Sequence, residues 1–247
     1  MASRSPGFTR TSAPNSSSAE VPPASARSRA IAPALVIFDC DGVLVDSEPI
    51  ANAVFVRCLN EAGFPFTLAE AYAELVGRSL PACLAWLERR FARPLPANFA
   101  PRLQAATYDA FRRELRPVPG VAAVVEALRS QAVATCVASS GEFEKMRLTL
   151  GLTGLWPLFE GRVFSAEAVA RGKPAPDLLL HATERLGVAA AAAAVVEDSG
   201  PGLAAGLAAG MRVYAYRGGA RPPPLPEGVV AFAAMTELPR LLGLSGA

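Results

Sequence analysis

Cysteine is scarce and scattered. Cys40, Cys58, Cys83 and Cys136 form no C-x-x-C pair, and the single histidine, His181, is near none of them in sequence. Neither a zinc site nor a disulfide framework is therefore expected, and a reducing cytoplasm fits. Long apolar runs are also missing. No stretch reaches the roughly 18 uninterrupted apolar residues of a membrane-spanning helix, and no charged start is followed by the apolar core of a secretory signal. Neither a membrane nor export is expected, and the expected location is cytoplasmic. Surplus positive charge is absent too. The formal charge is +2, but residues 1 to 33 carry Arg4, Arg10, Arg27 and Arg29 against Glu20 alone, so the rest of the chain stands at −1. Nucleic-acid binding depends on neutralising phosphates, so it is not expected either.

What remains is a chain rich in apolar residues: 51% hydrophobic and 19% charged over 247 positions. That is enough for one sizeable core and a smaller satellite. The first 33 residues are an exception. Rich in Ser, Pro, Ala and Arg and poor in large apolar side chains, they cannot offset the entropy of ordering and read as a disordered tail. Their Arg- and Ser-rich, acid-poor character also resembles an organelle transit peptide, while an untargeted tail or an upstream start codon is the plainer reading.

After the tail come short apolar runs of strand length: ALVIFD, AVATCVAS (132 to 139), GRVFSA (161 to 166), AAAVVED (192 to 198), MRVYAY (211 to 216) and GVVAFA (228 to 233). Helical patterns lie between them, in GVAAVVEALRSQ, GEFEKMRLTLGL, APDLLLHATERLGV and GPGLAAGLAAG. Strands alternating with helices predict an α/β fold with a mostly parallel sheet and helices on both faces. Such sheets bind ligands at the carboxyl ends of their strands. One interval breaks the alternation. From Pro49 to Pro117 the periodicity is only helical, in four segments separated by turn signals. This predicts a tail over 1–33, an α/β core from 34–48 and 117–247, and a four-helix domain inserted at 49–116.

The first strand ends in DCDG, where Asp39 and Asp41 stand two positions apart. A capping turn would need only one Asp. A Ca²⁺ loop would place its Gly sixth and follow a helix, whereas Gly42 is fourth and follows a strand. Side chains two apart on extended backbone point the same way, so both carboxylates would face the ligand end of the sheet. Glu197 and Asp198 end another strand and precede SGPG. Left bare, these carboxylates would raise one another's pKa, so a compensating cation is expected. A hard divalent ion with oxygen ligands, Mg²⁺, fits best. Ser139 and Ser140 in VASSG follow a strand and precede a helix, where hydroxyls and free N–H groups can hold a phosphate oxygen. Lys173 in GKPAP also stands in a loop just before a helix.

The ordered set DCDGVLVDSE, SSG, GKPAPD and EDSGPG resembles the haloacid dehalogenase superfamily, and in particular its phosphatase-like members with a helical cap inserted after the first motif. The resemblance covers Leu35 to Tyr216 and implies a Rossmann-like core beneath that cap. It makes Asp39 the nucleophile that forms an aspartyl-phosphate and Asp41 the general acid and base. Ser139 would bind the transferring phosphoryl group, with Ser140 beside it, and Lys173 would neutralise charge on Asp39 and that group. Asp198 would be a carboxylate ligand of Mg²⁺ beside Asp39 and the backbone carbonyl of Asp41, with Glu197 supporting the metal. Gly42 would allow backbone to approach phosphate closely. Arg78, in VGRS, resembles part of the cap loop that lowers onto the site.

Asp at position 41 separates this chain from the superfamily's dehalogenases, which lack it, and from its phosphonate-cleaving members, which usually carry Ala there. Hydrolysis of a phosphate monoester is expected. The rival is a sugar-phosphate mutase similar to β-phosphoglucomutase, in which a cap Arg, a His and a Lys hold a second phosphate; here Leu80, Ala51 and Glu142 occupy those places. An inactive binding member is the third reading, but Asp39, Lys173 and Asp198 are all retained. A lid over the site limits substrates to small molecules: a phosphorylated sugar, sugar acid or short organic phosphate, of phosphogluconate or phosphoglycolate type. A monomer is expected. His181 reads as structural or surface, Trp86, Phe91 and Tyr108 as packing, and Arg89, Arg90, Arg112 and Arg113 as solvated faces.

Overall fold

The computed structural model describes residues 1–2, 32–75, 79–219 and 224–244. The tail expected over 1–33 therefore lies almost wholly outside the described residues, and so does Arg78.

The oily run after the tail folds into β1 (Leu35–Phe38), whose four residues are all buried. Its alternating side chains serve two cores, as period-two geometry requires. Val36 and Phe38 join one cluster, and Leu35 and Ile37 the other. Each such side chain, fully buried, contributes about 1.5–3 kcal/mol.

Five more strands complete the sheet: β2 (Ala134–Ser139), β3 (Val163–Ser165), β4 (Ala193–Glu197), β5 (Arg212–Tyr216) and β6 (Val229–Phe232). Their order is β3-β2-β1-β4-β5-β6, and every pairing is parallel. The expected α/β class with a parallel sheet is the observed one. β1 is central, and the chain crosses back beside it in both directions, to β2 and to β4. That is a switch point, where a crevice opens at the carboxyl ends.

Between β1 and β2 the chain forms α1 (Glu48–Glu61), α2 (Leu68–Glu74), α3 (Leu80–Phe91), α4 (Phe99–Glu114) and α5 (Val121–Ser130). The first four enclose a core of their own, with Leu59, Phe64, Phe66, Leu87, Phe99 and Leu103 among its buried members. α2 is opened by a capping box between Thr67 and Glu70, which satisfies N–H groups that a helix start leaves unpaired. Phe111 near the end of α4 belongs instead to the sheet's core and ties the helical insertion to it. The helix α5, α6 (Phe143–Leu152), α7 (Trp156–Phe159) and α10 (Leu238–Leu241) cover one sheet face. The other is covered by α8 (Asp177–Arg185) and α9 (Gly200–Ala208). The short α7 and α10 have no counterpart among the predicted elements. The alanine run before β4 closes one 3₁₀ turn, Ala190–Ala192, before entering the strand. Among the described residues, no helix is long and apolar enough to cross a membrane.

Candidate active site

Three neighbouring strands deliver the acidic and hydroxyl groups. Asp39 follows β1, Ser139 ends β2 and Glu197 ends β4, with Asp198 next along the chain. Because β2, β1 and β4 are adjacent and parallel, their ends meet in one crevice. Lys173 arrives from the loop before α8. Its Nζ donates to Asp39 Oδ1 at 2.7 Å, to Glu197 Oε1 at 2.6 Å and to the Ala138 carbonyl at 2.9 Å. The Lys173 side chain is 3% exposed, so this ammonium sits between two carboxylates almost without water.

Glu197 is fully buried. Its other oxygen, Oε2, accepts from the Asp198 N–H, the Ser199 N–H and the Ser199 hydroxyl, each at 2.9 Å. Both oxygens of Glu197 are thus engaged. Backbone makes room for this group at Gly202, where a Cβ would fall 1.7 Å from Glu197 Oε1. Ser139 is buried, with its Oγ accepting from the Gly141 N–H at 3.4 Å, while Ser140 is exposed.

The turn after β1 is fixed by backbone bonds. The Gly42 N–H donates to the Val45 carbonyl, and the Leu44 and Val45 N–H groups donate to the Cys40 carbonyl. Gly42 has φ +76°, and a Cβ there would lie 2.0 Å from Asp198 Oδ2. The close approach that Gly42 permits is therefore that of the Asp198 carboxylate to the turn.

One carboxylate oxygen each from Asp39, Glu197 and Asp198 lies within 4.8 Å of the others. Burial, then the Asp39 and Glu197 charges, push Asp198 up to about 9. Asp39 is pushed up to about 6, by burial first and by Glu197, against the pull of Lys173. The Lys173 ammonium is already shared between Asp39 and Glu197, and no described residue places a second cation against Asp198. Hard oxygen donors with uncompensated negative charge are the chemistry that a divalent cation such as Mg²⁺ satisfies. The residues present fit such an ion.

Asp41 stands slightly apart. Ser47 donates to its Oδ1 at 2.6 Å, and Lys145 Nζ donates to its Oδ2 at 2.8 Å. Burial pushes the Asp41 carboxyl up, but Lys145 and Ser47 outweigh it and hold the group below its ordinary value. Neither Ser47 nor Lys145 was among the residues singled out from sequence. Glu142 stands where the resemblance to a mutase would place a lysine, and α6 brings in Lys145 three residues later. Glu48, the first residue of α1, is pushed up by burial and by Asp41. Outside the site, His181 packs edge-on against Phe164, their ring centroids 5.8 Å apart.

A family model described as haloacid dehalogenase-like hydrolase matches residues 33–210. The 6-phosphogluconate phosphatase of Escherichia coli (strain K12) is 29% identical over 209 residues, covering 83% of this chain and 93% of that protein. A phosphorylated carbohydrates phosphatase of Thermotoga maritima is 31% identical over 184 residues, covering 72% of this chain and 83% of that one. Among solved structures, a HAD family hydrolase of Deinococcus radiodurans R1 with bound phosphate and sodium matches with a TM-score of 0.74 at 30% identity, covering 86% of this chain and 98% of that chain. The family match spans most of the chain and all four motifs, and the protein belongs to the haloacid dehalogenase-like hydrolases.

Proposed function

We propose that this protein is a Mg²⁺-dependent phosphatase that hydrolyses a small phosphate monoester of the sugar or sugar-acid class through an aspartyl-phosphate on Asp39. The observation that carries the reading is the meeting of Asp39, Lys173, Glu197 and Asp198 at the ends of adjacent strands, with Lys173 Nζ 2.7 Å from Asp39 Oδ1. The names of the similar proteins above, a 6-phosphogluconate phosphatase and a phosphorylated carbohydrates phosphatase, supply the substrate class.

In this mechanism a carboxylate oxygen of Asp39 attacks phosphorus, and Asp41 gives a proton to the departing alkoxide. Water then attacks the aspartyl-phosphate, Asp41 takes its proton, and phosphate leaves Asp39 as a free carboxylate. Lys173 holds Asp39 in place and offsets negative charge as the phosphoryl group arrives. Ser139 and the N–H groups of its loop bind the phosphoryl oxygens. Asp39, Asp198 and the Asp41 carbonyl would hold Mg²⁺, which supplies charge neutralisation for the phosphoryl group. Helices α1 to α4 form the lid that excludes water and bulky esters.

The test is phosphate release from p-nitrophenyl phosphate with and without Mg²⁺, beside Asp39→Asn, followed by a panel of hexose, hexitol, gluconate and glycolate phosphates. Turnover should need both Mg²⁺ and Asp39, with the sugar and sugar-acid phosphates preferred. Equal rates in all tubes would defeat the enzyme reading, and a uniformly poor panel would defeat the substrate class.

A further inference from the structure

Lys145 is placed where helix chemistry alone would not put it. It lies in the first turn of α6, the end at which the helix dipole disfavours a cation. Instead of turning to solvent, its side chain reaches 104 positions back in sequence to Asp41. The Asp41 carboxylate is then held at both oxygens, by Ser47 at 2.6 Å and Lys145 at 2.8 Å. The pair remains partly exposed, with side-chain exposures of 29% for Lys145 and 19% for Asp41. Gly141, in the Ser139 loop, is the hub of this arrangement. A Cβ there would lie 3.7 Å from Asp41 Oδ2, 3.8 Å from Lys145 Cδ and 3.9 Å from Ser139 Oγ. The Lys145 end of Asp41 therefore lies alongside the loop proposed to hold the phosphoryl group.

We propose that Lys145 is a positioning residue that, with Ser47, holds Asp41 as an oriented carboxylate for the hydrolytic half of the reaction. An ammonium pairs strongly with an ionised carboxylate and only weakly with a neutral acid. Its contact therefore counts most in the state in which Asp41 must accept a proton. In that step the water oxygen bonds to phosphorus and the bond from phosphorus to the Asp39 oxygen breaks. Its electron pair returns to the Asp39 carboxylate, and one water proton passes to Asp41. Formation of the aspartyl-phosphate uses Asp41 as a donor and draws less on the pair. This inference rests on the roles of Asp39 and Asp41 proposed above.

Lys145→Met and Lys145→Arg, with wild type and Asp41→Asn, would be followed on p-nitrophenyl phosphate by stopped flow and steady state. For Lys145→Met, kcat should fall about tenfold while kcat/KM, which ends at aspartyl-phosphate formation, changes less than about threefold. A burst of nitrophenolate approaching one per enzyme should precede the slow phase, and Lys145→Arg should recover part of kcat. Thermal unfolding separates a misfolded variant from a slow one; should Lys145→Met unfold, Lys145→Gln gives the same reading. Three results would overturn the inference: kcat and kcat/KM falling together without a burst, a raised KM at unchanged kcat, or no change. The raised KM would make Lys145 a substrate anchor. Wild-type kcat in Asp41→Asn would instead remove the underlying role of Asp41, so the two failures are distinguishable.

Discussion

Replacing Lys173 by Met gives the sharpest energetic test of the buried charge cluster. Its ammonium donates to two carboxylates and one carbonyl at 2.6–2.9 Å, and its side chain is 3% exposed. Met has nearly the same length but no charge, so packing is kept while Asp39 and fully buried Glu197 lose their shared cation. Removing one partner of a buried ion pair costs about 3–5 kcal/mol, because the remaining charge is left uncompensated. For a chain of this size that lowers the melting temperature by roughly 6–20 °C. The assay is thermal unfolding in EDTA at about pH 7.5, repeated at about pH 5, where the stranded carboxylates can take up protons and the gap should narrow. Asp39→Asn is the counterpart. Burial already disfavours its charge, pushing Asp39 up to about 6, and Lys173 keeps Glu197, so this variant should lose activity while melting within a few degrees of wild type. The reasoning is refuted if Lys173→Met melts within about 2 °C of wild type at the higher pH, or if its deficit does not shrink on acidification.

Gly42→Ala would put a Cβ 2.0 Å from Asp198 Oδ2 at φ +76°; a strain cost of about 1–3 kcal/mol and a loss of Mg²⁺ affinity beyond roughly tenfold are expected by calorimetry. Gly154→Ala is its control, because φ is +73° but nothing lies within 4 Å of the added carbon; it should show strain without the metal defect. Asp198, pushed up to about 9, and Asp39, up to about 6, both bind protons more tightly folded than at the ordinary 3.8. Stability of the metal-free protein should therefore fall as pH rises from about 4 towards 9. Mg²⁺ competes with those protons, so its stabilising shift should be larger at about pH 8 than at about pH 6; a shift that shrinks with rising pH would contradict this.

The sheet was legible because each strand is a short apolar run bounded by turn residues, and a parallel sheet buried on both faces needs little else to be recognised. The motif order was legible for a related reason: Asp39, Ser139 and Asp198 each sit at the edge of such a run, so strand ends and chemistry coincide, while Lys173 is marked by the GKPAP loop that precedes a helix. What escaped depends on reach across the fold. Lys145 meets Asp41 because α6 packs on the sheet face that Val36 and Phe38 of β1 also enter, and the helical phase that turns Lys145 inward, Glu142 being outside the helix, is visible only once α6 has its start at Phe143. Ser47 stands at the N-cap of α1, yet its hydroxyl makes no cap bond and goes to Asp41. The sequence suggests phosphate as the group that Gly42 admits, because Asp198, whose carboxylate lies against that space, stands 156 positions later, just after β4. The short α7 and α10 have too few residues to show a helical period.

The most direct measurement is to mix the protein with Mg²⁺ and excess phosphate monoester, quench in acid within one turnover, and map the peptides by mass spectrometry. An added mass of about 80 Da on the peptide bearing Asp39, absent from Asp39→Asn, is expected for a phosphoryl group carried on that carboxylate. Turnover with no such adduct, or with the adduct on a different residue, would contradict nucleophilic attack by Asp39.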